Sequence, residues 1–258
     1  MDLGINGLRV LITAGAGGIG LEAAKAFDRE GAKVHVCDVD DAALAAFAKS
    51  HPAMSASKCD VSDRAQVAAL FKDALAKLGG LDCLVNNAGI AGPTGPVHEI
   101  NPEDWDRCLA VCITGQFNCA RLAVPHLKAS KNASMINLAS AAGKFGFSNR
   151  SPYAAAKWGV VGFTKTLALE LGPAGVRVNA ILPGKVAGDR IRRVFEAKAQ
   201  VQGRSFAEVE KEAFALSSIK AYIEPTQLAD MMVFLASSRA ATISGQALSI
   251  DADAQALM

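Results

Sequence analysis

Three polar residues in the second half of the sequence have the types and spacing for acid–base chemistry. Tyr153 and Lys157 are four residues apart, so on a helix their side chains share one face. A tyrosine with its ordinary pKa of about 10 is a poor base at neutral pH, but a neighbouring cation favours its ionised form. We therefore expect Tyr153 to take the proton of a bound hydroxyl group, with Lys157 lowering its pKa. Ser140 directly follows a predicted strand and is expected to hydrogen-bond the same oxygen.

A glycine-rich turn near the N-terminus is the second candidate site. It follows a predicted strand and precedes a helical pattern, and its glycines have the spacing G-x-G-x-x-G. Glycines let the backbone approach a pyrophosphate, whose charge meets the free N–H groups at the start of the helix. Such a turn also arises for structural reasons alone, so the prediction depends on the strand, the helix and the acid that follows. The predicted cofactor-binding residues here are Gly15, Gly18, Ile19 and Gly20.

Asp38 ends the second predicted strand, 18 residues beyond Gly20. A carboxylate at this place accepts hydrogen bonds from the hydroxyls of an adenine ribose and repels a 2′-phosphate. None of the next three residues is an arginine or lysine that could bind that phosphate. The alternative is that Asp38 only begins a turn. We predict NAD as the cofactor rather than NADP.

Short β-branched runs alternate with helix-length segments along the whole chain, and these elements must position the candidate residues. The seven candidate strands are 9–13, 33–39, 54–59, 81–86, 134–138, 176–182 and 247–250. Nearly continuous apolar runs are typical of strands covered on both faces. The alternation predicts an α/β fold, a Rossmann-type doubly wound sheet of about seven parallel strands with helices on both faces. Residues 1–258 are predicted to form a single domain.

Composition excludes several classes of protein. Apolar residues make up 51% and charged residues 20% of the chain, which excludes disorder, collagen-like repeats and coiled coils. A formal net charge of +2 does not indicate a nucleic-acid or anionic-membrane partner. No apolar run approaches the roughly 20 residues of a membrane helix, and no signal peptide is evident. We predict a cytoplasmic protein with no nucleic-acid or membrane partner.

The six cysteines and four histidines predict no metal site. The cysteines form no C-x-x-C pair and the histidines match no zinc spacing. Cys108 and Cys112 could share a helix face, but two further ligands are missing. We expect reduced, buried thiols that pack as small apolar side chains.

With these residues placed, the whole chain resembles the short-chain dehydrogenase/reductase family. Ser140 with the Tyr153-x-x-x-Lys157 pair resembles the family's catalytic residues, and the glycine turn resembles its cofactor turn. The remaining matches lie after later strands: the pair Asp60-Val61, the stretch N-N-A-G with Asn87 and Gly89, and the P-G pair Pro183-Gly184 followed by Val186. The resemblance implies that the adenine contacts the first pair, and that the stretch N-N-A-G lines the cofactor groove. It further implies that Val186 meets the nicotinamide carboxamide and that Lys157 also binds the nicotinamide ribose. The implied activity is hydride transfer between NAD and a secondary alcohol or ketone.

Two positions depart from the family pattern. Ala14 stands where the family usually has the first glycine of the turn, which is tolerable if its φ is negative. Cys112 stands where the family commonly has an asparagine that anchors a water of the proton relay, and a thiol cannot replace the hydrogen bonds of a carboxamide. The relay could run through a backbone carbonyl and water alone, or Cys112 could be a redox-sensitive thiol. A third possibility is a catalytically weakened, regulatory dinucleotide-binding protein. The runner-up enzyme is an NADP-dependent 3-oxoacyl reductase, which Asp38 disfavours.

The segment 185–224 has no convincing strand and is rich in charge on a helical period, so we predict one or two helices forming a lid over the substrate. A small anionic substrate could be bound by Arg190 or Arg193, although a solvated helix face is the simpler explanation. An aromatic substrate could instead contact apolar residues; the candidates are Phe145, Phe147, Trp158 and Phe195, of which Trp158 is expected to pack against a neighbouring helix.

The resemblance also implies an assembly. Family members are usually dimers or tetramers built on two helices, here about residues 101–129 and 152–171, which are apolar over more than one face. We expect a homotetramer that acts on a small-molecule substrate.

Overall fold

The computed structural model describes residues 2–257 and contains a seven-stranded parallel sheet. Its strands are β1 (Arg9–Thr13), β2 (Lys33–Asp38), β3 (Ser55–Lys58), β4 (Cys83–Asn86), β5 (Ser134–Leu138), β6 (Arg177–Pro183) and β7 (Ala247–Ile250). The strand order is β3-β2-β1-β4-β5-β6-β7, so the direction of winding reverses between β1 and β4. A crevice at such a reversal, outside the carboxyl ends of the strands, is where ligands bind in open α/β sheets. The predicted fold class is confirmed.

Helices cover both faces of the sheet. Those in the described range are α1 (Gly18–Arg29), α2 (Asp41–Ser50), α3 (Arg64–Leu78), α4 (Pro102–Leu109), α5 (Gly115–Leu127), α6 (Ser151–Leu171), α7 (Asp189–Gln202), α8 (Phe206–Ala215) and α9 (Pro225–Ala236). Alternate side chains of each strand serve the two faces. On β1, Val10 and Ile12 pack with α1 and α9, whereas Leu11 packs with α3 and α5.

The helix expected over residues 101–129 is locally widened. Ala110–Thr114 form one π-helical turn between α4 and α5, so the helical stretch Pro102–Leu127 is continuous but irregular. By length and composition alone this stretch of 26 residues could cross a membrane. Half of its most apolar window is buried, however, and Ala120, Ala123 and Leu127 pack into the core beside the sheet. Its apolar composition is therefore explained by its place as a core helix.

The segment 185–224 forms two helices, α7 and α8, which pack on each other. Phe195 and Ala199 of α7 meet Val209 and Ala213 of α8 in a small apolar cluster. A parallel bridge between residues 186 and 223 closes the base of the segment. The helix pair is thus a compact unit attached beside the carboxyl end of β6.

Candidate active site

A cavity of about 600 Å³ runs along the carboxyl ends of the strands. It is lined by residues at or directly after the ends of β1, β2, β4, β5 and β6, and by residues of the helix pair α7–α8. The residues predicted for cofactor or substrate that line it are Gly18, Ile19, Asp38, Asn87, Gly89, Ser140, Tyr153, Lys157, Pro183, Gly184, Val186, Arg190 and Arg193. Five others lie outside its lining: Gly15, Gly20, Asp60, Val61 and Cys112.

The glycine turn is shaped by tight backbone contacts. A Cβ on Gly20 would lie 2.1 Å from the carbonyl oxygen of Ala14, and one on Gly15 would lie 2.6 Å from the Cβ of Val36. Only glycine fits these two positions, which explains why they are glycine although neither lines the cavity. The expectation of a negative φ at Ala14 is wrong, because its φ is 51°. A left-handed backbone costs an L-residue about 1–2 kcal/mol, and two hydrogen bonds of 3.0 Å from Asn87 Nδ2, to the carbonyls of Thr13 and Ala14, hold the turn there.

The start of α1 is suited to a pyrophosphate. Its N-cap is Gly17, which has no side chain to satisfy the first N–H groups of the helix, and Gly17, Gly18 and Ile19 line the cavity. Unsatisfied N–H groups and the positive end of the helix dipole bind anions. The carboxylate of Asp38 lies at the same end, where it accepts from the amides of Ala16 at 3.2 Å and Val39 at 2.8 Å. These residues therefore fit an adenine dinucleotide.

Tyr153 is surrounded by positive charge. Its ring centroid is 5.6 Å from Lys157 Nζ, 5.8 Å from Arg190 Cζ and 5.2 Å from Arg150 Cζ. Burial by itself raises the pKa of Tyr153, but the charges of Arg190 and Lys157 and a hydrogen bond with Ser140 outweigh it and lower the pKa below its ordinary value. The geometry thus brings together the three residues predicted for acid–base chemistry.

The backbone fixes Lys157 and Ser140. Lys157 Nζ donates to the carbonyl of Leu138 at 2.7 Å, at the end of β5, and is itself buried. Ser140 begins a short 3₁₀ turn, and its Oγ accepts from the amide of Ala142 at 3.2 Å. Both side chains are therefore anchored at the carboxyl edge of one central strand, beside Tyr153 of α6.

Cys112 lies in the π-helical turn behind this group. Its Sγ accepts from the amide of Ile90 and donates to the carbonyl of Ile90, both at 3.4 Å. A hydrogen bond from Cys108 and the charge of Lys157 lower the pKa of Cys112, although burial opposes them. The thiol therefore makes both polar contacts with Ile90 through weak sulfur hydrogen bonds, and it joins the π-helical turn to the loop after β4 rather than lining the cavity.

Asp60 and Val61, for which the resemblance implies a contact with the adenine, lie outside the lining of the cavity, and that contact stays a prediction. Asp60 accepts from Arg107 at 2.8 Å and from Ser62 Oγ at 2.7 Å. Val61 is buried in the core, where a Cβ on Gly115 would touch its side chain. Both side chains are used within the protein, and neither lines the cavity. Of the P-G pair, Gly184 packs against Asp251, where a Cβ would lie 2.7 Å from the Asp251 Cα.

The substrate end of the cavity is lined by cations at two depths. Arg190 and Arg193 are exposed at its rim, and Arg190 Nη1 donates to the carbonyl of Gly89 at 3.0 Å. Arg150 and Lys198 lie deeper, each 2% exposed. The only available signals were the position of Arg150 in the loop before Tyr153 and the charge-rich period that includes Lys198. Of the four aromatic candidates, Phe147 and Phe195 line the cavity; Phe145 and Trp158 do not, and Trp158 is 52% exposed instead of packed on a helix.

The cysteines are free and buried, as expected. Within residues 2–257 no group of three or more histidine, cysteine, aspartate or glutamate side chains is placed to hold a metal ion.

Comparisons with known proteins agree with this geometry. A family model described as enoyl-(acyl carrier protein) reductase matches residues 14–252. D-beta-hydroxybutyrate dehydrogenase of Cupriavidus necator is 34% identical over 96% of this chain and 97% of its own. Cis-4-hydroxycyclohexanecarboxylate dehydrogenase of Sinomonas cyclohexanicum is 35% identical over 93% and 94% of the two chains. A solved structure of NAD⁺-bound xylitol dehydrogenase superimposes with a TM-score of 0.91 at 27% identity, over 96% of this chain and 98% of the other. The chain therefore belongs to the short-chain dehydrogenase/reductase family of oxidoreductases.

Proposed function

We propose that this protein is an NAD-dependent dehydrogenase that oxidises a secondary alcohol to a ketone, or reduces the ketone in the reverse direction. The observation that carries the proposal is the surroundings of Tyr153: two cations and Ser140 lower its pKa at one end of a cavity. The other end of that cavity has the open start of α1 and the carboxylate of Asp38. Two named relatives act on hydroxy acids, which supports a CH–OH group as the reacting centre.

The mechanism assigns one task to each side chain. Tyr153, whose phenolate form is stabilised by the charges of Arg190 and Lys157, takes the proton of the substrate hydroxyl. Ser140 donates its Oγ hydrogen to the same oxygen and positions it. Lys157 holds the negative charge of Tyr153 and would bind the nicotinamide ribose. NAD⁺, when bound, would supply the acceptor for the hydride of the carbinol carbon, so that oxidation would give a ketone, NADH and a proton held on Tyr153.

NAD is proposed over NADP because of Asp38. Its carboxylate lines the cavity beside the start of α1, where it would accept from the ribose hydroxyls and repel a 2′-phosphate. The NAD⁺ in the structurally similar xylitol dehydrogenase supports this preference. An NADP-dependent 3-oxoacyl reductase is the alternative that Asp38 opposes.

A lid, an assembly and a compartment complete the proposal. The helix pair α7–α8 lines the cavity with Arg190, Phe195 and Lys198 and is proposed to cover the substrate.

The exposed apolar side chains Phe117 of α5 and Leu169 of α6 lie on the two helices expected at subunit interfaces, which supports a homotetramer. Light scattering of purified protein tests that assembly. Six reduced thiols are consistent with a cytoplasmic protein.

The proposal is tested by following NADH or NADPH formation with a panel of secondary alcohols and hydroxy acids. The parent and the Cys112→Asn variant are each run with NAD and with NADP. Turnover of the parent with NAD alone supports both the cofactor assignment and tolerance of the thiol. A silent parent together with an active Cys112→Asn variant would instead support the regulatory alternative. Turnover with NADP in preference would contradict the role given to Asp38.

A further inference from the structure

Arg150 is a buried cation without an anionic partner. Its side chain is 2% exposed and its Nη2 donates to the carbonyl of Ala91. Its Nε and Nη1 have no hydrogen-bond partner among residues 2–257. A guanidinium remains charged, and buried donors that stay unpaired are destabilising. Arg150 therefore has two donor atoms at the cavity for an acceptor that the described chain does not supply.

Lys198 of α7 is a second buried cation at the same place. It is also 2% exposed, and its Nζ lies 4.6 Å from the ring centroid of Phe147. Arg150 Cζ lies 5.2 Å from the same centroid, so both cations contact the ring of Phe147. Burial and then the charge of Arg150 lower the pKa of Lys198 to about 8, while Glu212 opposes them. Glu212 itself is half exposed and forms an ion pair with Arg204, away from this pair.

Arg150 is next to Tyr153, and Lys198 contacts the Phe147 ring that Arg150 also contacts. Arg150 Cζ lies 5.2 Å from the ring centroid of Tyr153 as well. The carboxylates that line the cavity are Asp38, at the cofactor end, and Asp189, at the exposed start of α7. Like charges are thus gathered beside Tyr153 with no carboxylate between them. Such an arrangement is stabilised by an anion that enters the cavity.

We propose that Arg150 and Lys198 bind the carboxylate of the substrate, which is therefore a hydroxy acid whose carbinol group faces Tyr153. Phe147 and Phe195 line the cavity beside them and favour an apolar carbon skeleton between the two functional groups. The identity of the reacting group rests on the proposed function, whereas the anion site does not. Arg190 and Arg193 line the same cavity but are exposed, and the proposal gives the carboxylate to the two buried cations.

The kinetic test compares acids with neutral alcohols. The probes are 3-hydroxybutyrate, 4-hydroxycyclohexanecarboxylate, 2-butanol and cyclohexanol, each with NAD. Lys198→Met and Arg150→Met are expected to raise KM for the acids by about 10- to 100-fold, since each removes a charged hydrogen-bond donor. KM for the neutral alcohols should rise far less than KM for the acids, so the ratio of the two KM values reports the carboxylate site. Lys198→Arg should restore much of the affinity for acids, and Arg192→Met, an exposed position on the same helix, is the matched control.

The binding test needs no turnover. Butyrate, cyclohexanecarboxylate, methanesulfonate and inorganic phosphate are added to the protein, and the melting temperature is measured. The carboxylates are expected to raise the Tm of the parent and of Arg192→Met, but not that of Lys198→Met. Without any ligand, Lys198→Met should melt at the same temperature as the parent or higher, because it removes an uncompensated buried charge. A lysine with a purely structural role would give a lower Tm.

The two tests separate this inference from the proposed function. Turnover of neutral alcohols and acids with equal KM, unchanged in Lys198→Met, overturns the carboxylate site and leaves the dehydrogenase standing. Binding of carboxylates that depends on Lys198, without turnover of any probe, supports the site and counts against the dehydrogenase. No stabilisation of the parent by a carboxylate, or stronger stabilisation by methanesulfonate or phosphate, overturns the proposed ligand class.

Discussion

The two ends of the cavity are built in different ways. At the cofactor end, backbone groups and small residues do the work: Gly17 leaves the helix start open, and Gly20 lets α1 approach the carbonyl of Ala14. At the substrate end, long charged side chains reach into the cavity from separate elements, Arg150 from the loop before α6 and Lys198 from α7. The first end depends on shape and is intolerant of added atoms. The second depends on charge and should be tolerant of changes in shape.

The largest expected effect tests whether the cofactor end is intolerant of added atoms. Gly20→Ala places a Cβ 2.1 Å from a backbone oxygen and 2.6 Å from Asn87 Nδ2, so we expect a loss of about 3 kcal/mol in unfolding free energy and of NAD affinity. A Cβ on Gly17 meets nothing within 4 Å. Gly17→Ala should therefore keep its stability while the added atom in the cavity weakens NAD binding. Urea unfolding measures the stability of each variant, and titration with NAD measures its affinity. Equal stability of Gly20→Ala and Gly17→Ala would contradict the claim that tight backbone contacts shape the cofactor end.

The next effect concerns the single charge at the cofactor end. Asp38→Asn keeps the acceptor atom near the amides of Ala16 and Val39 but removes the repulsion of a 2′-phosphate. We expect the preference for NAD over NADP, measured as the ratio of kcat/KM values, to fall by about 100-fold, since a like-charge contact costs several kcal/mol. An unchanged ratio would show that another part of the cavity selects the cofactor.

A pH profile sharpens the account of charge at the substrate end. Arg190 lowers the pKa of Tyr153, whose other charged or polar neighbours are Lys157, Arg150, Ser140 and Cys112. Alcohol oxidation needs the phenolate, so activity should rise with pH as Tyr153 ionises. Arg190→Met raises the pKa and should move this rise to higher pH. Arg193→Met is the control, because Arg193 is also exposed but is not one of the charges that shift the pKa of Tyr153. A profile that moves in both variants, or in neither, would contradict this role for Arg190.

The smallest effect returns to the glycine turn. Ala14 has a φ of 51°, a conformation that glycine adopts without strain. Ala14→Gly should raise the unfolding free energy by about 0.5–1 kcal/mol, because relief of strain exceeds the extra freedom of the unfolded chain. Urea unfolding measures the change. A variant less stable than the parent would mean that the methyl group of Ala14, which packs against the core beside α3, outweighs the strain.

Features that depend on local sequence patterns could be predicted, whereas features that depend on contacts between distant residues could not. The seven strands, the glycine turn and the Ser140–Tyr153–Lys157 group follow from local patterns: apolar runs, glycine spacing, and two residues four apart on one helix. The φ of Ala14 could not be predicted, because Asn87, 73 residues further along the chain, holds it in place. The hydrogen bond between Asp60 and Arg107 could not be predicted, because the two residues lie on different elements. The pairing of Arg150 with Lys198 could not be predicted for the same reason: only the packing of α7 against the loop around Phe147 brings the two cations together.

The central claim is that Tyr153 is the acid–base group of an NAD-dependent dehydrogenase, and the Tyr153→Phe variant tests it most directly. The variant retains the ring and the packing of α6 and loses only the phenolic oxygen. With the substrate that the parent oxidises best, kcat should fall by about 10²- to 10⁴-fold while the Kd for NAD⁺ stays the same. A kcat within a few-fold of the parent's, at unchanged NAD⁺ affinity, would contradict the account.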